Sequence, residues 1–203
     1  SFSFWYKVKD DKTTKLQTIF ESQASDSKTV IHIYMLYNIL YFKVYASDGT
    51  AYNQWTYNMS SHQGNWTFIY ISWSGSWGTA PSFYINGRLQ PSYHSYGSYQ
   101  DPDGALSKIT QLSLYSRISY VSAESDLNGS LQNFAVHKGG TKSAELVLSL
   151  YTKNGKPDWA QSQLVDYWLL GGESNIISLS PDAKLPGGTL IKSAIGMNDL
   201  TSV

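Results

Sequence analysis

The chain has 203 residues, with fifteen basic and fifteen acidic side chains and no formal net charge, so it offers no positive face to a phosphate backbone. At 41% hydrophobic and 15% charged, with 16 Tyr, 7 Trp and 7 Phe, it is neither a disordered tail nor a coiled coil. It is long enough to bury one core without staples, it has no cysteine, and no apolar run approaches the ~20 residues that span a bilayer.

The chain opens in SFSFWYKV, where Phe2, Phe4, Tyr6 and Val8 alternate with Ser1, Ser3, Trp5 and Lys7. That period of two predicts a half-buried strand. No initiating Met and no basic-then-apolar leader stand before it, which reads as a processed or truncated piece. Further strands are predicted at LQTIFES (16–22), TVIHIYML (29–36), ILYFKVYAS (39–47), WTFIYISW (66–73), SFYINGRL (82–89), KITQLSLYS (108–116) and GSLQNFAVH (129–137). Each is short, rich in β-branched and aromatic residues, and bounded by Gly, Pro, Asn, Asp or Ser. One segment departs from this pattern. KSAELVLSLYTKNG (142–155) sets Leu146, Val147, Leu150 and Tyr151 on one helical face and closes on Asn154-Gly155. The fold class is therefore all-β, a two-sheet antiparallel β-sandwich with one short helix near residues 142–153. Residues 156–203, rich in Gly, Pro and Ser, read as an irregular extension packed on the sandwich or on a neighbour. Within it lie an apolar patch, LVDYWLL (164–170), and a short strand candidate, GTLIKSAI.

Two carboxylates one strand-alternation apart would serve glycoside hydrolysis, and no such pair lies on a predicted strand. Glu124 and Asp126 precede a strand and read as a solvated turn. His32, His62, His94 and His137 are dispersed, without metal-ligand spacing, and His32 reads as a hydrogen-bonded sheet histidine. No serine sits in a G-x-S-x-G elbow. Asp101 and Asp103, in YQDPDG, resemble a fragment of an oxygen-ligand loop for Ca²⁺, set against a plain Asp-Pro turn. No other cofactor is indicated.

The aromatics carry the remaining signal. Both faces of 66–73 are apolar, which predicts a central strand covered on two sides, with Trp66 in the core. Trp73 and Trp77 flank a loop of small residues, and Tyr93, Tyr96 and Tyr99 are spaced by three in PSYHSYGSY, which reads as a tyrosine-rich loop. These five are the predicted ligand or partner contacts.

The order of the pieces resembles the laminin G-like jelly roll of the concanavalin A-like superfamily. FSFWYKV is similar to that family's early strand, GNWTFIYISWSGS (64–76) to its Trp-led apolar strand, FYINGRL (83–89) to its Asn/Asp-Gly hairpin, and LNGSLQNFAVHKGGTKSAELVLSLYTKNG (127–155) to its closing strand and helix. The resemblance covers 1 to about 155. It implies that a strand normally preceding FSFWYKV is missing or upstream, so that its edge is covered by upstream residues or a neighbouring chain. Gln132 and Asn133 stand where the family often has acids, and Thr141-Lys142 replaces its usual Leu-Ser, degrading the capping box. NGKPDWAQSQLVDYWLLGGES (154–174) resembles the continuation found in laminin G-like modules of bacteriophage and environmental-virus structural proteins. What this implies is a noncatalytic module at a virion surface or outside a cell. Its partners would be other virion proteins, copies of itself or cell-surface glycans, with neither nucleic acid nor membrane. A secreted cellular carbohydrate-binding or adhesion domain is the alternative.

Overall fold

The computed structural model describes residues 1–8, 16–46, 49, 52–74, 79–97, 109–114, 129–137, 143–152, 164–168, 190–192 and 199–201, with backbone alone at 94–96, 109–113, 152 and from 164 onward. In chain order the strands are β1 (Phe2–Val8), β2 (Gln17–Ala24), β3 (Thr29–Leu36), β4 (Ile39–Tyr45), β5 (Tyr52–Asn58), β6 (Trp66–Ser72), β7 (Ser82–Ile85), β8 (Arg88–Gln90), β9 (Tyr93–Gly97), β10 (Ile109–Leu114) and β11 (Gly129–His137). The helix α1 (Ala144–Thr152), β12 (Leu164–Trp168), β13 (Leu190–Lys192) and β14 (Asp199–Thr201) follow. Sheet A has the order β12-β11-β1-β6-β7-β8 and sheet B the order β10-β2-β3-β4-β5-β9, both antiparallel throughout, while β13 and β14 pair separately. This is a jelly-roll β-sandwich.

Alternation sets the core. Phe2, Phe4, Tyr6 and Val8 all face inward from β1, and Phe134 of β11 stacks between Phe4 (5.6 Å) and Phe20 (5.2 Å). Fully burying a side chain of this size contributes roughly 1.5–3 kcal/mol, so this aromatic cluster is a main source of sheet-to-sheet cohesion. A second, smaller core lies on the other side of sheet A, where Val147 and Leu150 of α1 cover Phe68, Tyr70 and Tyr84. Phe68 and Leu150 therefore do not share one core with Phe4, Ile85, Leu131 and Phe134. The alternation of β6 sends Ile69 and Ile71 inward and Phe68 and Tyr70 outward to the helix. The strand is covered on both faces, as its sequence predicts.

Trp66 corrects an expectation, being 37% exposed. It is the first residue of β6 and lies outside the helix-covered cluster. The edge expected beside β1 is also corrected, because β1 is an interior strand, hydrogen-bonded to β6 on one side and β11 on the other. Strands β5 and β9 of sheet B lie outside the sequence-predicted set, and the 82–89 candidate is a hairpin of two strands. The patch at 164–170 supplies β12, which extends sheet A beyond β11.

The turns explain themselves. Between β3 and β4, Tyr37 and Asn38 both have positive φ, the two-residue geometry that matches strand twist. Asn86 and Gly87 repeat it between β7 and β8, with φ of 50° and 76°. Gly87 is required twice over, since a Cβ there would also come within 2.9 Å of Leu148 on α1. The helix is capped by Ser143, whose Oγ accepts from the Leu146 N–H at 3.3 Å, so a cap exists despite the altered residues before it.

Candidate functional site

With α1 lying on sheet A, the side chains pointing outward from sheet B are the other broad surface of the sandwich. Along β4 these are Tyr41, Lys43 and Tyr45, and along β5 they are Tyr52, Gln54 and Thr56, all half-buried; the intervening residues Leu40, Phe42, Val44, Asn53 and Trp55 are buried. Tyr34 of β3 lies flat against Tyr41, centroids 4.6 Å apart and planes 1° from parallel, and donates its hydroxyl hydrogen bond to Gln54 Oε1 at 3.0 Å. Lys43 Nζ sits 4.6 Å from the Tyr45 ring centre and 3.4 Å from that of Tyr52, a cation held by two π faces. Partial burial pushes the Tyr41 phenol up, so it stays a neutral donor and acceptor at physiological pH.

Behind this strip the face closes. His32, Thr18 and Glu21 are buried; Thr18 Oγ1 and His32 Nε2 are 3.0 Å apart, and Thr29 donates to Glu21 Oε1 at 2.6 Å. His32 is the hydrogen-bonded sheet histidine its position predicts. A second imidazole, His137, pairs with the Ser3 hydroxyl at 2.9 Å, but Ser3 is 1% exposed on an interior strand, so no substrate reaches that oxygen. Among the described residues no group of three or more His, Asp or Glu could hold a metal ion, and no helix is long and apolar enough to cross a membrane.

The predicted contact residues separate in space. Trp73 is 5% exposed: its ring packs edge-on against Phe42 at 5.7 Å and its Nε1–H donates to the Thr79 carbonyl at 3.2 Å. It is a core residue. Trp77, Tyr99, Asp101 and Asp103 lie outside the described residues. Tyr93 and Tyr96 are not in a loop but on β9, the outer strand of sheet B, and Tyr93 is 68% exposed. A register shift explains the spacing of three. Tyr93 pairs with Thr56 and Tyr96 with Gln54, with one extra residue bulged on β9 between them. Both positions thus stand opposite outward-facing residues of β5, which strict alternation could not foretell. Tyr34, Tyr41, Lys43, Tyr45 and Tyr52 were not singled out from the sequence; the signal that would have found them is their shared register at every second position of adjoining strands.

Residues 1–147 match the sequence model of the concanavalin A-like lectin/glucanases superfamily. The chain belongs to this family. That superfamily takes its name from lectins and glucanases alike, so carbohydrate is the general ligand class that goes with it. No curated protein sequence matches the chain. Similar solved structures include the binding domain of botulinum neurotoxin serotype G, at 14% identity and a TM-score of 0.47, covering 76% of this chain and 36% of that one. The receptor binding domain of botulinum neurotoxin D is 15% identical with a TM-score of 0.46, covering 75% of this chain and 36% of that one. The present chain therefore spans little more than a third of those structures.

Proposed function

We propose that this chain is a noncatalytic contact module at the surface of a virus particle, packing against other particle proteins or copies of itself and taking host glycans on the outer face of sheet B. The observation that carries the contact reading is the strip Tyr41, Lys43, Tyr45, Tyr52 and Gln54, with Tyr34 stacked beneath Tyr41. Flat aromatic faces accept the apolar side of a sugar ring, and the amide, phenol and ammonium groups between them can bond its hydroxyls. Tyr93 extends the strip, and Tyr96, Tyr99 and Trp77 are proposed as further contacts. The particle origin is supported by the likeness of 154–174 to the continuation found in phage and environmental-virus structural proteins. Family membership favours a second reading, a secreted carbohydrate-binding or adhesion domain, which would use the same strip.

A noncatalytic role is supported by the acids of this face. Glu21 is sealed, and among the described residues of sheet B it has no second carboxylate at the spacing that acid and nucleophile need. The test is a glycan array read with the whole chain and with Tyr41→Ala. The reading expects a defined set of neutral glycans to bind and the variant to lose them, with folding stability changed by about 1 kcal/mol or less. Glycan binding that survives Tyr41→Ala would displace the site from this strip. Regular self-assembly of the chain, recorded by light scattering, would favour the particle over the secreted domain.

A further inference from the structure

A second concavity lies on the opposite side of the sandwich. Between the 3-10 turn Ser60–His62, the β7–β8 hairpin and α1 is a cleft of about 420 Å³ whose walls include His62, Asn86, Arg88, Gln90, Leu148 and Tyr151. None of its lining residues is acidic. Its one formal charge is Arg88, which is exposed and, among the described residues, makes no ion pair. Burial pushes the His62 imidazole down, so near neutral pH this histidine is uncharged and adds no second cation. The cleft is thus a singly cationic site.

Its other groups are already oriented. Tyr151 is fixed by stacking on Trp5 at 5.8 Å and by Phe68 at 6.0 Å, so its ring edge and hydroxyl are presented by a rigid support. Asn86 Oδ1 accepts the Phe68 N–H at 2.9 Å, which leaves the amide NH₂ as its remaining donor. Gln90 Nε2 donates to the Arg88 carbonyl at 3.4 Å, which leaves Oε1 as its remaining acceptor. Leu148, 48% exposed, supplies an apolar wall.

We propose that this cleft binds an acidic saccharide unit, a pyranose ring bearing one carboxylate, with Arg88 as the carboxylate ligand. A guanidinium gives a planar carboxylate two parallel charge-assisted N–H bonds, stronger than those it gives to the neutral hydroxyls of a sugar. Hydroxyls both give and accept, so they need a donor and an acceptor side by side, as Asn86 and Gln90 provide. The apolar wall takes the ring face. The volume sits at the small end of ligand pockets and suits a single ring. The site lies on sheet A, away from the tyrosine strip, and stands independently of the reading above.

The experiment is titration calorimetry on the whole chain with glucuronate, galacturonate and N-acetylneuraminate, each beside a neutral sugar of matched ring. At least one acid is expected to bind about tenfold or more tightly than its neutral counterpart, the worth of one charge-assisted pair. Arg88→Gln erases that preference while the melting temperature stays in place. Failure of all three acids to bind, equal binding of acid and neutral sugar, or a preference that survives Arg88→Gln overturns the proposal. Tighter binding of a Glu-containing dipeptide than of any acidic sugar overturns it in favour of an acidic-peptide site.

Discussion

Asn86 and Phe68 exchange two hydrogen bonds: the Asn86 N–H donates to the Phe68 carbonyl at 2.8 Å, and the Phe68 N–H donates to Asn86 Oδ1 at 2.9 Å. A turn residue here completes the strand ladder with its own side chain. Replacing it by Ala removes the acceptor from a buried amide and leaves at φ 50° a residue without asparagine's tolerance of the left-handed region. Asn86→Ala should cost about 1–3 kcal/mol in denaturant unfolding, and Asn86→Asp clearly less, because Asp keeps both the acceptor and tolerance of positive φ.

Phe134 and Trp66 form a contrast within one sheet. Phe134 is fully buried between Phe4 and Phe20, so Phe134→Ala should cost about 3–5 kcal/mol. Trp66→Ala, at a strand end open to solvent, should cost about 1 kcal/mol or less. Urea titrations of the two variants decide it, and the reverse order would refute the packing described.

Alkaline pH should unfold the protein through its buried phenols. Burial pushes Tyr6 and Tyr70 far above the ordinary tyrosine value. In the unfolded chain both ionise near pH 10, while in the fold they keep their protons, so the unfolded state releases protons and is favoured as pH rises. Stability is whole below that pH and is lost above it. The fall in urea midpoint from about pH 9 to 11 should be shallower in Tyr6→Phe than in the parent chain, whatever the variant's starting stability. An unchanged slope would mean that Tyr6 ionises freely in the fold.

Ser143 stands ahead of α1 and satisfies one of the helix's first N–H groups. Ser143→Ala should lower stability by about 0.5–2 kcal/mol, and Ser143→Asp should restore it. Thermal unfolding followed by near-UV circular dichroism reports both changes, since α1 holds Tyr151 against Trp5.

Much of this architecture was legible where burial and alternation coincide. Phe2 to Val8 and TVIHIYML each place a set of apolar residues on one side, and both emerge as strands with the expected bounds, as does GSLQNFAVH, where an irregular register at Asn133 lets Leu131 and Phe134 both be buried. β5 escaped because its inward positions are Asn53, Trp55 and Tyr57, two of them polar at the tip, so no apolar alternation announces it. β9 escaped because its bulge breaks the period of two. The two misplaced tryptophans have one cause. Trp66 and Trp73 lie at opposite ends of β6, and which end is sealed depends on the Phe42 and Thr79 contacts made by distant residues, not on either tryptophan's neighbours. The tyrosine strip was invisible for the same reason: Tyr34 and Tyr41 meet across a hairpin register, and Tyr52 reaches Lys43 only across another.

The interior place of β1 carries a consequence for the order of folding. Phe2 pairs with Ile71 on one side and with Val136 on the other, whereas β2, β3, β4 and β5 pair with one another in chain order, taking β10 and β9 only at their outer flanks. The local hairpins of sheet B can close while the centre of sheet A must wait for partners far along the chain, and such long loop closures slow folding. On a ribosome, β1 emerges before the other strands described and is among the last of them to be enclosed. Until β11 arrives, Phe2, Phe4 and Tyr6 present an apolar edge to whatever is nearby, so this domain should refold slowly from denaturant and aggregate at that step, and a chain cut before residue 129 should not fold at all.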